Sequence, residues 1–145
     1  MNLFGVMQVS GSALGAERIR SEVTAANLAN AESTHTEEGG PYRRKQVVFA
    51  SQNAPSFTRT LAGTARGSQP SGVVVRDVVS DPSPPVMRYE PSHPDANEAG
   101  YVAYPNINPV AEMTDLLSAV RSYQMNVAAV NASKQMISQS IDILR

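Results

Sequence analysis

The C-terminal quarter of this chain constrains its fold more than any other part of the sequence. Asn108 is a favourable N-cap, Pro109 fits the first helical turn, and no further Gly or Pro occurs before Arg145. The sequence therefore predicts one continuous helix over residues 108–145, roughly 55 Å long at 1.5 Å per residue. A small domain is only about 30 Å across, so such a helix must extend beyond any compact core.

An apolar stripe with three- and four-residue spacing runs along this predicted helix and resembles the pattern of coiled coils. The other faces carry Ser, Asn and Gln more often than charged residues, which suits close protein contacts because hydroxyls and amides can be buried without burying charge. Burial of one stripe alone does not offset the entropy lost in ordering the whole helix. We therefore expect the helix to have more than one packing partner.

The N-terminal segment predicts a second and weaker helix, from about Leu3 to Asn30. Its apolar positions recur at helical spacing, but the residues are small, and each interior glycine costs about 1 kcal/mol relative to alanine. Residues 23–34, VTAANLANAEST, supply alanines for tight helix contact. Asn27 and Asn30 would lie on roughly one face, where they could form hydrogen bonds across an interface or cap the helix end. An ordinary Ala-rich helix with an Asn terminus is the alternative interpretation.

The middle of the chain, residues 31–106, holds nine of the ten prolines and predicts short strands set in loops. Residues 42–49 and 73–79 are strand candidates that could pair as a hairpin, and about 51–72 between them has the composition of a mobile loop. Weaker strand candidates are 87–90 and 101–104. The expected fold class is mainly α with a small β-rich middle segment. The predicted regions are an N-terminal helix in 1–32, the β- and loop-rich segment 33–107 and the C-terminal helix in 108–145.

Composition argues against several classes of protein. A net charge of −1 and an isolated basic run, which we interpret as a solvated strand face (Arg43, Arg44, Lys45), do not indicate nucleic-acid binding. The N-terminus lacks the basic start and unbroken apolar core of a cleavable signal peptide, and no apolar run approaches the roughly 20 residues of a membrane span. We expect neither a cleaved signal nor direct membrane insertion.

Enzyme and metal motifs give no competing prediction. His93, Pro94 and Asp95 form the tripeptide of J-domain co-chaperones, but the prolines before it exclude the preceding helix of a J-domain, so a loop turn is expected. His35 and His93 lie in predicted loops without metal-ligand spacing, and the chain has no cysteine. Nucleophile-elbow, P-loop and dinucleotide-binding patterns are also missing. The sequence predicts no enzyme, no cofactor and no metal site.

Three stretches carry a family resemblance: VTAANLANAEST, PYRRKQVVF, and the long segment from YEPSHPDANEAGYVAYPN to VNASKQM. Together they resemble the bacterial flagellar rod proteins, most closely the subunits of the proximal rod. The resemblance implies that the N- and C-terminal helices pair as a coiled coil of the axial-protein type, with the middle segment packed outside. It also implies export through the flagellar type III apparatus, without a cleavable signal peptide, into the periplasmic rod, with ends that fold on assembly.

The expected function is therefore that of a structural subunit of the basal-body proximal rod. It would polymerise with other rod subunits and with copies of itself into the shaft that transmits torque. The residues predicted to form the assembly interface are Val23, Asn27, Leu28, Asn30, Met113, Leu117, Val120, Tyr123, Val127, Val130, Ile137 and Ile141. The alternative is a soluble coiled-coil adaptor or export-associated binding module, whose two helices close as a hairpin and never polymerise.

Overall fold

A computed structural model describes residues 3–37, 39–52 and 72–143 of the chain. The elements are α1 (Leu3–Ala29), β1 (Lys45–Ser51), β2 (Val73–Ser80), β3 (Val86–Tyr89), β4 (Tyr101–Tyr104) and α2 (Pro109–Ile143). Two long helices thus bracket a small β middle, as the sequence predicted. The expected mobile loop at 51–72 lies, apart from its two ends, outside the described residues.

The two helices pack against each other in opposite directions. Asn27 near the end of α1 contacts Glu112 near the start of α2, and Arg20, two turns earlier in α1, contacts Ser118 further along α2. Most of the buried side chains of the two helices are small; they include Ser10, Ala16, Thr24, Ala119 and Ser133. Small residues allow the two backbones to approach closely, but they leave only a thin apolar core between the helices.

The strands β1 and β2 form the predicted antiparallel hairpin, which lies lengthwise on α1. Its register runs from Lys45 opposite Ser80 to Ser51 opposite Val73, with an irregularity between Val48 and Phe49. One end is fixed where the Lys45 N–H donates to Asn27 Oδ1 (2.9 Å), and the other where the Val73 N–H donates to Ser12 Oγ (2.9 Å).

The lengths of the two elements explain this placement. The helical rise from Ser12 to Asn27 is about 22 Å, and a seven-residue strand spans about 23 Å. At the Ser12 end the chain passes very close to α1, since a Cβ on Gly72 would lie 2.6 Å from Ser12 Oγ. Because Gly72 has no side chain, the hairpin can approach the helix this closely at Gly72 without displacing Ser12.

The strands β3 and β4 form a second antiparallel hairpin that carries the His-Pro-Asp tripeptide in its loop. The loop is closed by the Glu90 N–H, which donates to the Gly100 carbonyl (2.9 Å), and Gly100 has a positive φ of 80°. The Thr34 hydroxyl donates to Asp95 Oδ2 (2.7 Å) and ties this loop to the chain that follows α1. The loop-turn interpretation of the tripeptide is confirmed, because it lies between two strands and not between two helices.

Candidate functional site

Four side chains from three parts of the fold meet beside the C-terminal end of α1. We call this cluster the polar junction; its members are Asn27, Tyr42, Arg44 and Glu112. Asn27 is 1% exposed and Glu112 is 2% exposed. Burial of an amide and a carboxylate is tolerated only when their polar atoms have partners, so the geometry of this cluster decides how firmly the elements are joined.

Asn27 uses its full capacity for hydrogen bonds. Its Nδ2 donates to the Lys45 carbonyl (2.8 Å) and to Glu112 Oε2 (3.0 Å). Its Oδ1 accepts from the Lys45 N–H (2.9 Å) and from the Tyr42 hydroxyl (3.2 Å). Four bonds are all that a side-chain amide can make with its two donors and two lone pairs. One residue of α1 therefore holds both the start of β1 and the start of α2.

Glu112 joins α2 to the same cluster. Its Oε1 accepts from Arg44 Nε at 2.6 Å, while Arg44 Nη2 lies 3.7 Å from the exposed Asp115 carboxylate. The position of Glu112 in the first turn of α2 also suits the positive end of the helix dipole. The pKa of Tyr42 is raised above its ordinary value, first by burial and then by the negative charge of Glu112.

The start of α2 is capped as the sequence predicted. Asn108 Oδ1 accepts from the N–H groups of Val110 (3.0 Å) and Ala111 (3.3 Å), which satisfies two of the donors that a helix N-terminus leaves without partners. The cap and the polar junction lie within one turn of each other. The first turn of α2 is consequently fixed both by its own N-cap and by contacts with α1 and β1.

The four N-terminal residues of the predicted interface lie at this end of α1. Asn27 is fully engaged inside the chain, while Asn30 Nδ2 donates to the Ala26 carbonyl (2.8 Å) and its Oδ1 accepts from Ser33 Oγ (3.2 Å). Asn30 therefore closes the helix end. Val23 and Leu28 are half-buried. In the single chain the polar atoms of Asn27 are all bonded internally, and its place in an interface between molecules stays a prediction.

The predicted stripe on α2 divides into two groups. Val127, Val130 and Ile137 are half-buried. The others are between 40% and 60% exposed; they are Met113, Leu117, Val120, Tyr123 and Ile141. We call Met113, Leu117, Val120 and Tyr123 the outer stripe. The outer stripe borders α1, since Val120 and Tyr123 line an open groove with Arg18 and Ser21, and its large apolar side chains remain partly open to solvent in the single chain.

Three residues of the polar junction, Tyr42, Arg44 and Glu112, were not recognised as such from the sequence, and Tyr42 was placed only at the start of a strand candidate. Arg44 was assigned to a solvated strand face, which is wrong, because it is half-buried and ion-paired, although its neighbours Arg43 and Lys45 are exposed. Glu112 was interpreted only as a charge favoured by the helix dipole. Its partners Asn27 and Arg44 are 85 and 68 residues away in sequence. No local pattern identifies pairings over such separations.

The described part of the chain offers neither a membrane-spanning helix nor a cluster of metal ligands. Among these residues, no helix is both long and apolar enough to cross a bilayer. In the same residues, no three His, Asp or Glu side chains come together in an arrangement that could hold a metal ion. The candidate functional features of the described residues are therefore the polar junction and the exposed apolar surface of α2.

Comparison with known sequence families shows to which class of proteins the chain belongs. Residues 7–35 match the family described as "Flagella basal body rod protein", and residues 98–143 match "Flagellar basal body rod FlgEFG protein C-terminal". These two segments comprise most of α1 and all of α2. The class is therefore that of bacterial flagellar rod proteins, recognised by the two helices that pack together here.

Similarity over the whole chain defines the family within that class. The chain is 42% identical to the flagellar basal-body rod protein FlgC of Bacillus subtilis strain 168, over 99% of both sequences. It is 37% identical to FlgC of Borreliella burgdorferi, over 100% of this chain and 99% of that protein, and 42% identical to FlgC of Escherichia coli O6:H1, over 99% and 98%. The chain belongs to the FlgC family of flagellar basal-body rod proteins. It is a structural subunit of the rod.

Proposed function

We propose that this chain is a subunit of the proximal rod that polymerises with other rod subunits and with copies of itself into the torque-transmitting shaft. It acts through packing alone, without catalytic chemistry. The observation that carries the proposal is the outer stripe, which leaves large apolar side chains exposed on a helix of a rod-family protein. Contiguous exposed apolar surface of this kind marks interaction sites on proteins.

The outer stripe contributes to association through the hydrophobic effect. Full burial of a Leu, Val or Met side chain is worth about 1.5–3 kcal/mol, and these side chains are roughly half exposed, so each would contribute on the order of 1 kcal/mol when covered. The gain at a single contact is modest. Repetition of the contact at every subunit of a polymer makes the sum large.

Polar side chains beside the stripe are also suited to burial. The Thr114 hydroxyl donates to the Val110 carbonyl, Asn126 Nδ2 donates to the Ser122 carbonyl, and the Ser140 hydroxyl donates to the Met136 carbonyl, all at about 2.8–2.9 Å. Each donor is thus satisfied by its own helix. A neighbouring helix can therefore cover the two hydroxyls without leaving an unpaired donor, whereas the second N–H of Asn126 would need a partner on that helix.

The proposal includes coiled-coil pairing of α1 with α2. Half-buried and buried residues of α2 recur at steps of three and four residues, interrupted only at the more exposed Tyr123, and the set is Glu112, Leu116, Ala119, Asn126, Val130, Ser133 and Ile137. A sustained spacing of this kind is the pattern that keeps one seam facing a partner helix in a left-handed coiled coil. The opposite directions of the two helices make the pair antiparallel.

The proposed location is the periplasmic part of the basal body, reached through the flagellar type III export apparatus. Support comes from membership of the rod family and from the thin core between the helices. Because that core contains mainly small side chains, opening the helix pair for passage through an export channel costs little apolar burial. Re-formation on the growing rod would be favoured by the contacts of the outer stripe.

A pair of substitutions at Leu117 tests the proposed interface. Leu117 is 59% exposed, so Leu117→Asp should lower the unfolding free energy of the isolated chain by only about 1 kcal/mol, through the part of the side chain already buried and the lower helix propensity of Asp. It should nevertheless prevent incorporation into purified basal bodies and abolish motility, because it places a charge in a contact between subunits. The matched control is Leu117→Met, which keeps the apolar character and should assemble normally. Normal motility and incorporation of Leu117→Asp would refute the interface and favour a closed helical hairpin that does not polymerise.

A further inference from the structure

The packing between α1 and α2 does little by itself to fix their alignment. The buried positions are occupied by side chains of similar and small size, such as Ser10, Ala16, Ala119 and Ser133. The Ser133 hydroxyl donates to the Ala129 carbonyl of its own helix (2.9 Å) and so makes no demand on α1. A shift of one heptad, about 10 Å along the axis, would bring Asn126 to the place of Ala119 and Ser140 to the place of Ser133, and exchanges between such short side chains oppose the shift only weakly.

Polar contacts that do require a particular partner lie near the start of α2. Glu112 meets Asn27 and Arg44 of the polar junction, and Ser118 Oγ lies 3.4 Å from Arg20 Nη2. A one-heptad shift that sets Ala119 opposite Asn27 would remove the carboxylate from both of its donors. Buried polar groups that can be satisfied in only one alignment are the best-attested means of fixing helix register.

We propose that Asn27, Arg44 and Glu112 together set the register of α2 against α1. This role is separate from assembly and would hold whether or not the outer stripe is an interface. The register also determines which residues lie opposite each other at the far end of the helix pair. With Glu112 opposite Asn27, the residue opposite Leu3 is close to position 136, so about seven residues of α2 project past the first described residue of α1.

The projecting segment, 137–143, contains Ile141 and Ile143, which are 60% and 85% exposed. If Ala119 instead lay opposite Asn27, position 143 would lie opposite Leu3 and the projection would disappear. The register chosen at one end of the pair therefore decides whether an apolar helix end is presented at the other. The cluster thus positions α2, to which Glu112 belongs, against α1 of the same chain.

The cysteine-free sequence allows the register to be read directly by cross-linking. One reporter carries Arg20→Cys with Ser118→Cys, which are adjacent in the observed register, and the other carries Arg20→Cys with Met125→Cys, which are adjacent after a one-heptad shift. Both are treated with a short bismaleimide in buffer containing sucrose, which favours burial. In the otherwise unchanged chain the 20–118 product should exceed the 20–125 product by about tenfold or more, the preference that hydrogen bonds to a charged group confer.

The same reporters are then placed in Arg44→Met/Glu112→Leu, which removes both charges without leaving either unpaired. The ratio of the two products should fall toward one while the helical circular dichroism signal is retained. The matched control is Asp142→Asn, which changes an exposed carboxylate near the other end of α2, and it should keep the original ratio. An unchanged ratio in the double variant would overturn the proposal, because small-residue packing would then suffice. Loss of both products with loss of helicity would also overturn it, since the cluster would then hold the helices together without selecting their register.

Discussion

Removal of the Asn27 side chain should be among the most damaging single substitutions in this chain. Asn27→Ala deletes four hydrogen bonds at once, between 2.8 and 3.2 Å long. It leaves the Glu112 carboxylate with only Arg44 as partner, and it leaves the backbone donor and acceptor of Lys45 without their bonds to α1. The substitution thus affects α1, β1 and α2 together.

The magnitude follows from burial. A buried polar group left without a partner costs about 1–3 kcal/mol. The Glu112 oxygen is deeply buried and takes the full penalty, whereas the Lys45 backbone groups and the Tyr42 hydroxyl are nearer to solvent and can recover part of theirs from water. The sum is about 3–5 kcal/mol, a large share of the 5–15 kcal/mol typical of a whole domain.

Urea denaturation of the isolated chain, followed by circular dichroism in the far ultraviolet, measures this loss directly. The matched control is Asn30→Ala, which removes a half-buried amide whose partners, Ala26 and Ser33, are both local, and it should cost no more than about 1 kcal/mol. An Asn27→Ala midpoint close to that of the parent chain would refute the reasoning. So would an equal loss in the two variants, because it would mean that the contacts with Lys45 and Glu112 add nothing.

Two further predictions concern a glycine approach and a titrating carboxylate. Gly72→Ala should destabilise the chain by about 1–3 kcal/mol in urea, because the new Cβ would lie 2.6 Å from Ser12 Oγ. Gly11→Ala, which has open space around it, should instead stabilise α1 by about 0.5–1 kcal/mol. Changes of the same sign in the two unfolding free energies would contradict this. Hydrogen bonds from the Ser83 hydroxyl and N–H lower the pKa of Asp81, so Ser83→Ala should raise that pKa in an NMR titration. A lowered carboxyl pKa adds stability above about pH 4 that is lost as the pH falls through the folded-state pKa, so the two chains should differ at neutral pH and converge in acid; an unchanged Asp81 pKa would refute the assignment.

The elements of the fold are the part that sequence patterns predict best. Asn108 and Pro109 mark the start of α2 because capping and proline geometry are local properties. The strands β1 and β2 were predicted from two segments rich in β-branched residues, and their pairing as a hairpin was the simplest arrangement of two neighbouring strands. The helix start and the two strands themselves depend on residues within a few positions of one another, and only the pairing of the strands joins residues 22 to 35 positions apart.

The identity of the surfaces that meet is harder to predict from the sequence. Periodicity identified the outer stripe as apolar, yet the face of α2 that contacts α1 carries Glu112, Ala119 and Ser133 at its most buried positions. A hydrophobic pattern shows that a face is to be covered, but it does not show whether the cover is the same chain or another molecule. Small residues, which make the closest contact between the helices, produce the weakest hydrophobic signal.

The polar junction escaped prediction for a related reason. A carboxylate in the first turn of a helix has a sufficient local explanation in the helix dipole, and a basic run beside a strand has one in solvation. The partnership of Glu112 with Arg44 becomes visible only when the chain is folded, because 68 residues separate them. Asn27 was recognised as unusual and predicted to form part of an interface, but its bonds inside the chain depend on long-range contacts of the same kind.

The most direct test of the central claim is quantitative mass spectrometry of basal bodies purified, after removal of the filament, from the bacterium that encodes this chain. The account predicts that its peptides co-purify in a fixed ratio to those of the other rod subunits and that Leu117→Asp, but not Leu117→Met, removes them. Intact rods that lack this chain would contradict its role as a structural subunit.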